Sequence, residues 1–166
     1  MLVPAISRKE ELIKRFSEVI YDYKYFYYAG YSPCHEIPNF KLMDNKFEWA
    51  IVDEHDKVVG FLSYTIFFES DSVSNFGLYG FEPSIIIGKD AYCKIRDMIH
   101  SYRRIEWRCI ASNPIAPLYE KVCKKYNGRI LTLKESAKDP NGIYQDEYIY
   151  EILNPNPKYN LSNILK

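Results

Sequence analysis

The sequence predicts an α/β (α+β) domain built on a mixed, mostly antiparallel and twisted sheet of about six to seven strands flanked by helices. Three observations carry this. Residues 47–52 alternate with a period of two, Phe47, Trp49 and Ile51 against Glu48, Ala50 and Val52. Residues 58–68 form a near-continuous apolar run suited to a central strand. Beyond residue 88 the pattern changes to helix, strand, helix and two strands, so parallel pairing is expected only where a helix crosses over.

Each element follows in turn. Ser7 with Glu10 forms a capping-box pattern. Leu12, Phe16, Val19, Ile20, Tyr23, Phe26 and Tyr27 then recur on one helical face. Tyr21, Tyr25 and Tyr28 lie roughly opposite, as a recognition surface or as side chains packed over loops and the C-terminal arm. Gly30, Pro33 and Pro38 end that region, and 53–57 is a polar turn. Residues 73–82 read as a third strand, in which Gly77 and Gly80 mark a bulge or a close backbone approach. Residues 89–102 read as a helix and 104–111 as a strand. Asn113 and Pro114 suit the start of a second helix. Ile115, Leu118, Tyr119, Val122 and Tyr126 supply its apolar stripe, and Gly128 its terminator. Residues 129–134 and 143–153 close the sheet as two strands.

The chain has 166 residues, 22 Lys+Arg and 22 Asp+Glu, with 47% hydrophobic and 16% aromatic residues. That composition excludes an intrinsically disordered chain and suits one domain over 1–153, followed by an extended arm over 154–166 with two Asn-Pro pairs. Zero net charge argues against nucleic acid as a partner. No apolar run is long enough to span a bilayer. The first residues lack the apolar core of an export signal, so Cys34, Cys93, Cys109 and Cys123 are expected as reduced thiols in a cytoplasmic protein. Their even number leaves a disulfide protein open by counting alone. His35, His55 and His100 show no metal-ligand spacing, so no metal is expected.

The segment Ala111-Ser112-Asn113-Pro114-Ile115-Ala116-Pro117-Leu118-Tyr119-Glu120-Lys121 resembles a pattern of the GNAT superfamily of acyl-CoA N-acyltransferases, and the element order over 7–153 is similar to that family's. Asn113 to Tyr119 is one residue shorter than the usual spacing. The stretch standing where the family holds a pyrophosphate is Ile85-Ile86-Ile87-Gly88-Lys89-Asp90. Gly88 fits the pattern, whereas Ile85 and Asp90 depart from it. A carboxylate at Asp90 is expected to compete with a phosphate for helix-start amides, and Lys89 to supply a compensating cation.

The resemblance implies acetyl-CoA as the acyl donor, held at Phe81, Ile87, Gly88, Lys89 and Asn113. It implies Tyr119 as the acid that protonates the departing thiolate, and a small-molecule or peptide amine as acceptor. The family pattern fixes no base; Glu82, at the end of the third strand, is the candidate by position. A fold that keeps the shape without coenzyme A, as a non-catalytic binding or scaffold protein, is the alternative that Ile85 and Asp90 favour.

Overall fold

Asp53 closes the first hairpin. Its Oδ1 accepts from the N–H groups of His55 (2.9 Å) and Lys57 (3.0 Å), while Asp56 adopts a left-handed φ of 62°. This turn joins β2 (Lys46–Val52) to β3 (Val58–Phe67), as the alternation and the apolar run predict. The computed structural model describes residues 1–19, 22, 37–139 and 141–158. The tyrosine face at Tyr21, Tyr25 and Tyr28, together with Cys34, lies outside them.

The remaining elements are β1 (Leu2–Pro4), α1 (Lys9–Val19), β4 (Ser72–Gly80), α2 (Ile85–Ser101), β5 (Arg104–Ile110), α3 (Ala116–Lys125), β6 (Arg129–Lys138) and β7 (Tyr144–Leu153). They form a seven-stranded sheet in the order β1-β2-β3-β4-β5-β7-β6. All neighbours are antiparallel except β4 and β5, which the α2 crossover makes parallel. This is the mixed, mostly antiparallel sheet expected. β1 is not foreseen: three residues ending in proline are too short for periodicity, and an edge strand tolerates that proline.

Helices cover the two faces. On one, Phe16 of α1 meets Phe61 (5.4 Å between ring centroids, edge-on), Phe81 (5.0 Å) and Tyr79 (5.0 Å). On the other, Ile87, Ala91, Ile95, Met98 and Ile99 of α2 pack with Val73, Ile105 and Trp107 of the sheet, and α3 adds Tyr119, Val122 and Cys123. Of the stripe read along the first helix, Leu12, Phe16 and Val19 are buried.

Helix starts differ from the sequence reading. Ser7 makes no capping box: it sits in a 3-10 turn, Ala5–Arg8, and its hydroxyl donates to the Pro4 carbonyl at 2.7 Å. The second helix begins a turn early because Ser84 caps it, its Oγ accepting from the Ile86 N–H at 3.3 Å. The third begins at Ala116, so Pro117 rather than Pro114 stands in its first turn.

Its end also differs. The left-handed residue that stops α3 is Asn127 (φ 53°), not Gly128. Gly128 answers a different need: a Cβ there would lie 2.6 Å from both Cys123 Sγ and the Glu151 carbonyl oxygen. Glu151 itself is 4% exposed and is paired with Arg129 and with Arg104 (2.7 Å). First Arg129 and then Arg104 hold its carboxyl below the usual range.

Past β7 the chain ties down the far end of α2. The Asn154 side chain donates to the Ile99 carbonyl (2.9 Å), its N–H to Arg103 (2.9 Å), and the Lys158 N–H to His100 (3.1 Å). No helix among the described residues is long and apolar enough to cross a membrane.

Two outcomes follow from this packing. Gly128→Ala should lower stability by about 2 kcal/mol or more in urea unfolding, because backbone and sulfur at 2.6 Å cannot both yield. Cys93, Cys109 and Cys123 are free thiols. Burial pushes the Cys109 thiol up to about 12, with nearby Glu147 adding to it, and burial raises Cys123 as well. Native protein at pH 8 should therefore label at Cys93 well before Cys109 or Cys123, all three becoming equivalent in denaturant.

Candidate active site

β4 and β5 pair at only two positions, Ser72 with Arg104 and Val73 with Ile105. β5 nevertheless continues to Ile110 and stays fully paired with β7. Beyond Val73 the strands diverge, and the β4 backbone groups that point away from β3 have no β5 partner. The result is a wedge-shaped slot, closed at Val73 and open towards Gly80.

A bulge sits beside this divergence. Ser63 pairs with Gly77 and Thr65 with Ser74, so β4 spends two residues, Asn75 and Phe76, opposite Tyr64. The left-handed residue is Asn75 (φ 54°). Gly77 and Gly80 do not make the bulge, since neither has a positive φ. Gly80 serves close approach instead: a Cβ would lie 3.2 Å from Ile87 Cδ1. Asparagine is the non-glycine residue that best tolerates this conformation, which is the one local signal that pointed to it.

The open end of the slot faces the start of α2. Ser84 takes up the Ile86 N–H, which leaves first-turn amides without an intrahelical acceptor. Gly88 is already inside the helix, and a Cβ added there meets nothing within 4 Å. Lys89 is exposed and makes no side-chain bond or ion pair among the described residues. Asp90 does not occupy the first-turn amides as its position suggests: its Oδ2 lies 2.8 Å from the Met1 amino nitrogen. An open surface over a glycine, unspent amides and a neighbouring cation fit a phosphate-bearing ligand such as coenzyme A.

Three expected residues have defined surroundings. Ile87 is buried against the glycines of β3 and β4, so its side chain is core and only its backbone can face a ligand. Phe81 packs on Phe16, and its N–H is spent on the Val59 carbonyl at 2.9 Å. Asn113 Oδ1 accepts from the Ile115 N–H at 3.1 Å, a turn closure ahead of α3.

Tyr119 is 8% exposed and stands edge-on to Trp107 (5.9 Å, 75°) and to Tyr150 (5.8 Å, 70°). Trp107 lies on β5 two residues past its last β4 contact, so Tyr119 borders the slot. Tyr119 thus packs on the part of β5 that has left β4, and Gly88 and Lys89 lie near the start of α2.

Glu82 goes elsewhere. Its carboxylate accepts from Lys57 Nζ (2.7 and 2.9 Å) and from Arg15 Nη2 (2.8 Å). Lys57 first, then Arg15, hold it below the ordinary glutamate value. A base needs a free lone pair and a proton affinity near the working pH, so this geometry argues against Glu82 as the base.

The sequence pattern gave no sign of two features. One is a cleft of about 280 Å³ at the closed end, bordered by Phe67, Ser70, Ser72, Ser74, Arg104 and Glu106. The other is the Trp107 indole, 2% exposed, whose Nε1 is buried with no hydrogen-bond partner among the described residues.

Solved structures of acetyltransferases share this architecture. A probable acetyltransferase of the GNAT family from Chromobacterium violaceum superposes with a TM-score of 0.62 at 17% identity, covering 92% of this chain and 85% of that one. This chain has the GNAT fold. A GCN5-related N-acetyltransferase from Brucella melitensis gives 0.58 at 16% identity, covering 92% and 74%. A ribosomal-protein-S5-alanine acetyltransferase from Vibrio fischeri gives 0.52 at 20%, covering 70% and 66%. No family model matches the sequence, and no curated protein matches it.

Two substitutions test the site's composition. Gly88→Ala should raise stability by about 1 kcal/mol, the helix propensity gained where space is open. Because the Glu82 carboxyl is held low, its contribution is present at neutral pH and disappears as pH falls through that depressed value. Glu82→Gln should thus cost about 0.5–1 kcal/mol at pH 7 and nothing in acid, by denaturant titration at both pH values.

Proposed function

We propose that the protein is an acyl-CoA-dependent N-acetyltransferase acting on an amine acceptor. The observation that carries this reading is the slot: a strand pair that opens beside a bulge, with unspent helix amides at its mouth and a tyrosine on its wall. Coenzyme A, when bound, supplies the activated acyl group. The first-turn amides of α2 and Lys89 bind its pyrophosphate. Unpaired β4 backbone groups orient the arm and offer N–H donors to the acyl carbonyl oxygen as charge develops there. Tyr119 gives a proton to the departing sulfur. The acceptor, a small molecule or a peptide, enters by the polar cleft at the closed end, sheds its ammonium proton to solvent and attacks as the neutral amine, so that the C–N bond forms as the C–S bond breaks.

The non-catalytic alternative loses one of its two supports, since Asp90 leaves the amides free. Calorimetric titration with acetyl-CoA up to millimolar concentration decides between them: heat and a raised Tm are expected, and their absence at that level would leave the scaffold reading. Lys89→Ala should weaken binding about fivefold. Tyr119→Phe should leave binding nearly intact and slow turnover at saturating acceptor, with an amine panel as the readout.

A further inference from the structure

We propose that Trp107 positions the acyl-bearing arm in the slot, its indole N–H donating to a carbonyl oxygen of the bound acyl-pantetheine chain. This rests on the coenzyme A reading and names a residue that the GNAT resemblance does not assign. In the parallel register Val73 faces Ile105, so Trp107 comes level with Asn75 and Phe76, the bulge itself. The indole is clamped without using its N–H on any of the described residues. Tyr150 stacks behind it (5.3 Å, 14°) and Tyr119 meets it edge-on. Tyr150 spends its own hydroxyl on the Ala116 carbonyl at 3.4 Å, so it does not take up the indole N–H.

A buried N–H without an acceptor carries its desolvation penalty uncompensated, and phenylalanine would stack on Tyr150 equally well. An acceptor inside the slot is what gives an indole an advantage there. Trp107 is 2% exposed, so the wedge between β4 and β5 has to widen for that acceptor to reach its Nε1. The second indole is a natural control. Trp49 also has an unpartnered Nε1, but it sits on β2, outside the slot, with Lys94 Nζ 4.7 Å over its ring.

The experiment follows the indole N–H signals of 15N-labelled wild-type protein, assigned with Trp49→Phe. Titrants are acetyl-CoA and adenosine 3′,5′-bisphosphate, which has no pantetheine arm. Acetyl-CoA should shift the Trp107 signal downfield and slow its exchange with solvent; the bisphosphate should do neither, and the Trp49 signal should stay in place with both. Trp107→Phe should bind acetyl-CoA about fivefold more weakly and the bisphosphate unchanged, with a lowered Tm because a buried ring is truncated. Acetyl-CoA binding by calorimetry with a stationary Trp107 signal would overturn the assignment while sparing the coenzyme A reading. Absence of binding heat from either titrant would overturn both. The wild-type signal decides the matter even if the variant does not fold.

Discussion

Two residue pairs, Ser72 with Arg104 and Val73 with Ile105, are the whole of the hydrogen-bonded seam between the two halves of the sheet. β1 to β4 form one continuous antiparallel unit, and β5, β7 and β6 form another. A seam this short fixes position without fixing the strands parallel along their length. The connection is reinforced at its closed end, where the Asp71 carbonyl accepts from both Arg103 (2.9 Å) and Arg104 (3.2 Å). Side chains carry the rest: Val73 and Phe76 from one half and Ile105 and Trp107 from the other belong to the same core under α2 and α3. The divergence thus follows from giving β5 to β7 and β4 to β3, with a bulge turning β4 away.

The polar layout of the two faces follows from the same division. α1 covers the β1–β3 side through its aromatic cluster, while the same face of β5, β6 and β7 carries Arg104, Glu106, Arg108, Arg129, Glu147 and Glu151 as cross-strand charge. Glu106 and Glu151 stand directly opposite one another, and Arg104 bridges both. A buried carboxylate so arranged is tolerable only because two guanidinium groups reach it. The closed-end cleft lies at the edge of this charged region, which gives the site one dry wall of rings and one polar entrance.

Much of this architecture is legible in the residues. The run from Val58 and the alternation from Phe47 give β2 and β3 within a residue, and the stripe of Ile115, Tyr119 and Val122 places α3. What escaped depends on relations between segments. Whether Gly77 or Asn75 makes the bulge is decided by register against Tyr64, which no local window contains. Ser84 escaped because the sequence pattern reads as a loop over 85–88 ahead of a helix from 89, whereas the glycines of β3 and β4 make room for Ile87 as a helix residue. Glu82 illustrates the converse: its place at the end of β4 is right, but Arg15 and Lys57 come from distant segments, and proximity in space, not in sequence, decides what a carboxylate can do.

The bonds from Asn154 and Lys158 to Ile99 and His100 have a mechanical consequence. They pin α2 where it leaves the sheet, whereas its first residue, Ile85, is 92% exposed. The helix is then a lever with a fixed fulcrum at one end. Seventeen residues make it about 25 Å long, so a tilt of roughly 5° moves the far end by about 2 Å. A tilt that widened the wedge would be taken up where Ile87 meets Gly60 and Gly80, and would leave the seam at Val73 nearly still.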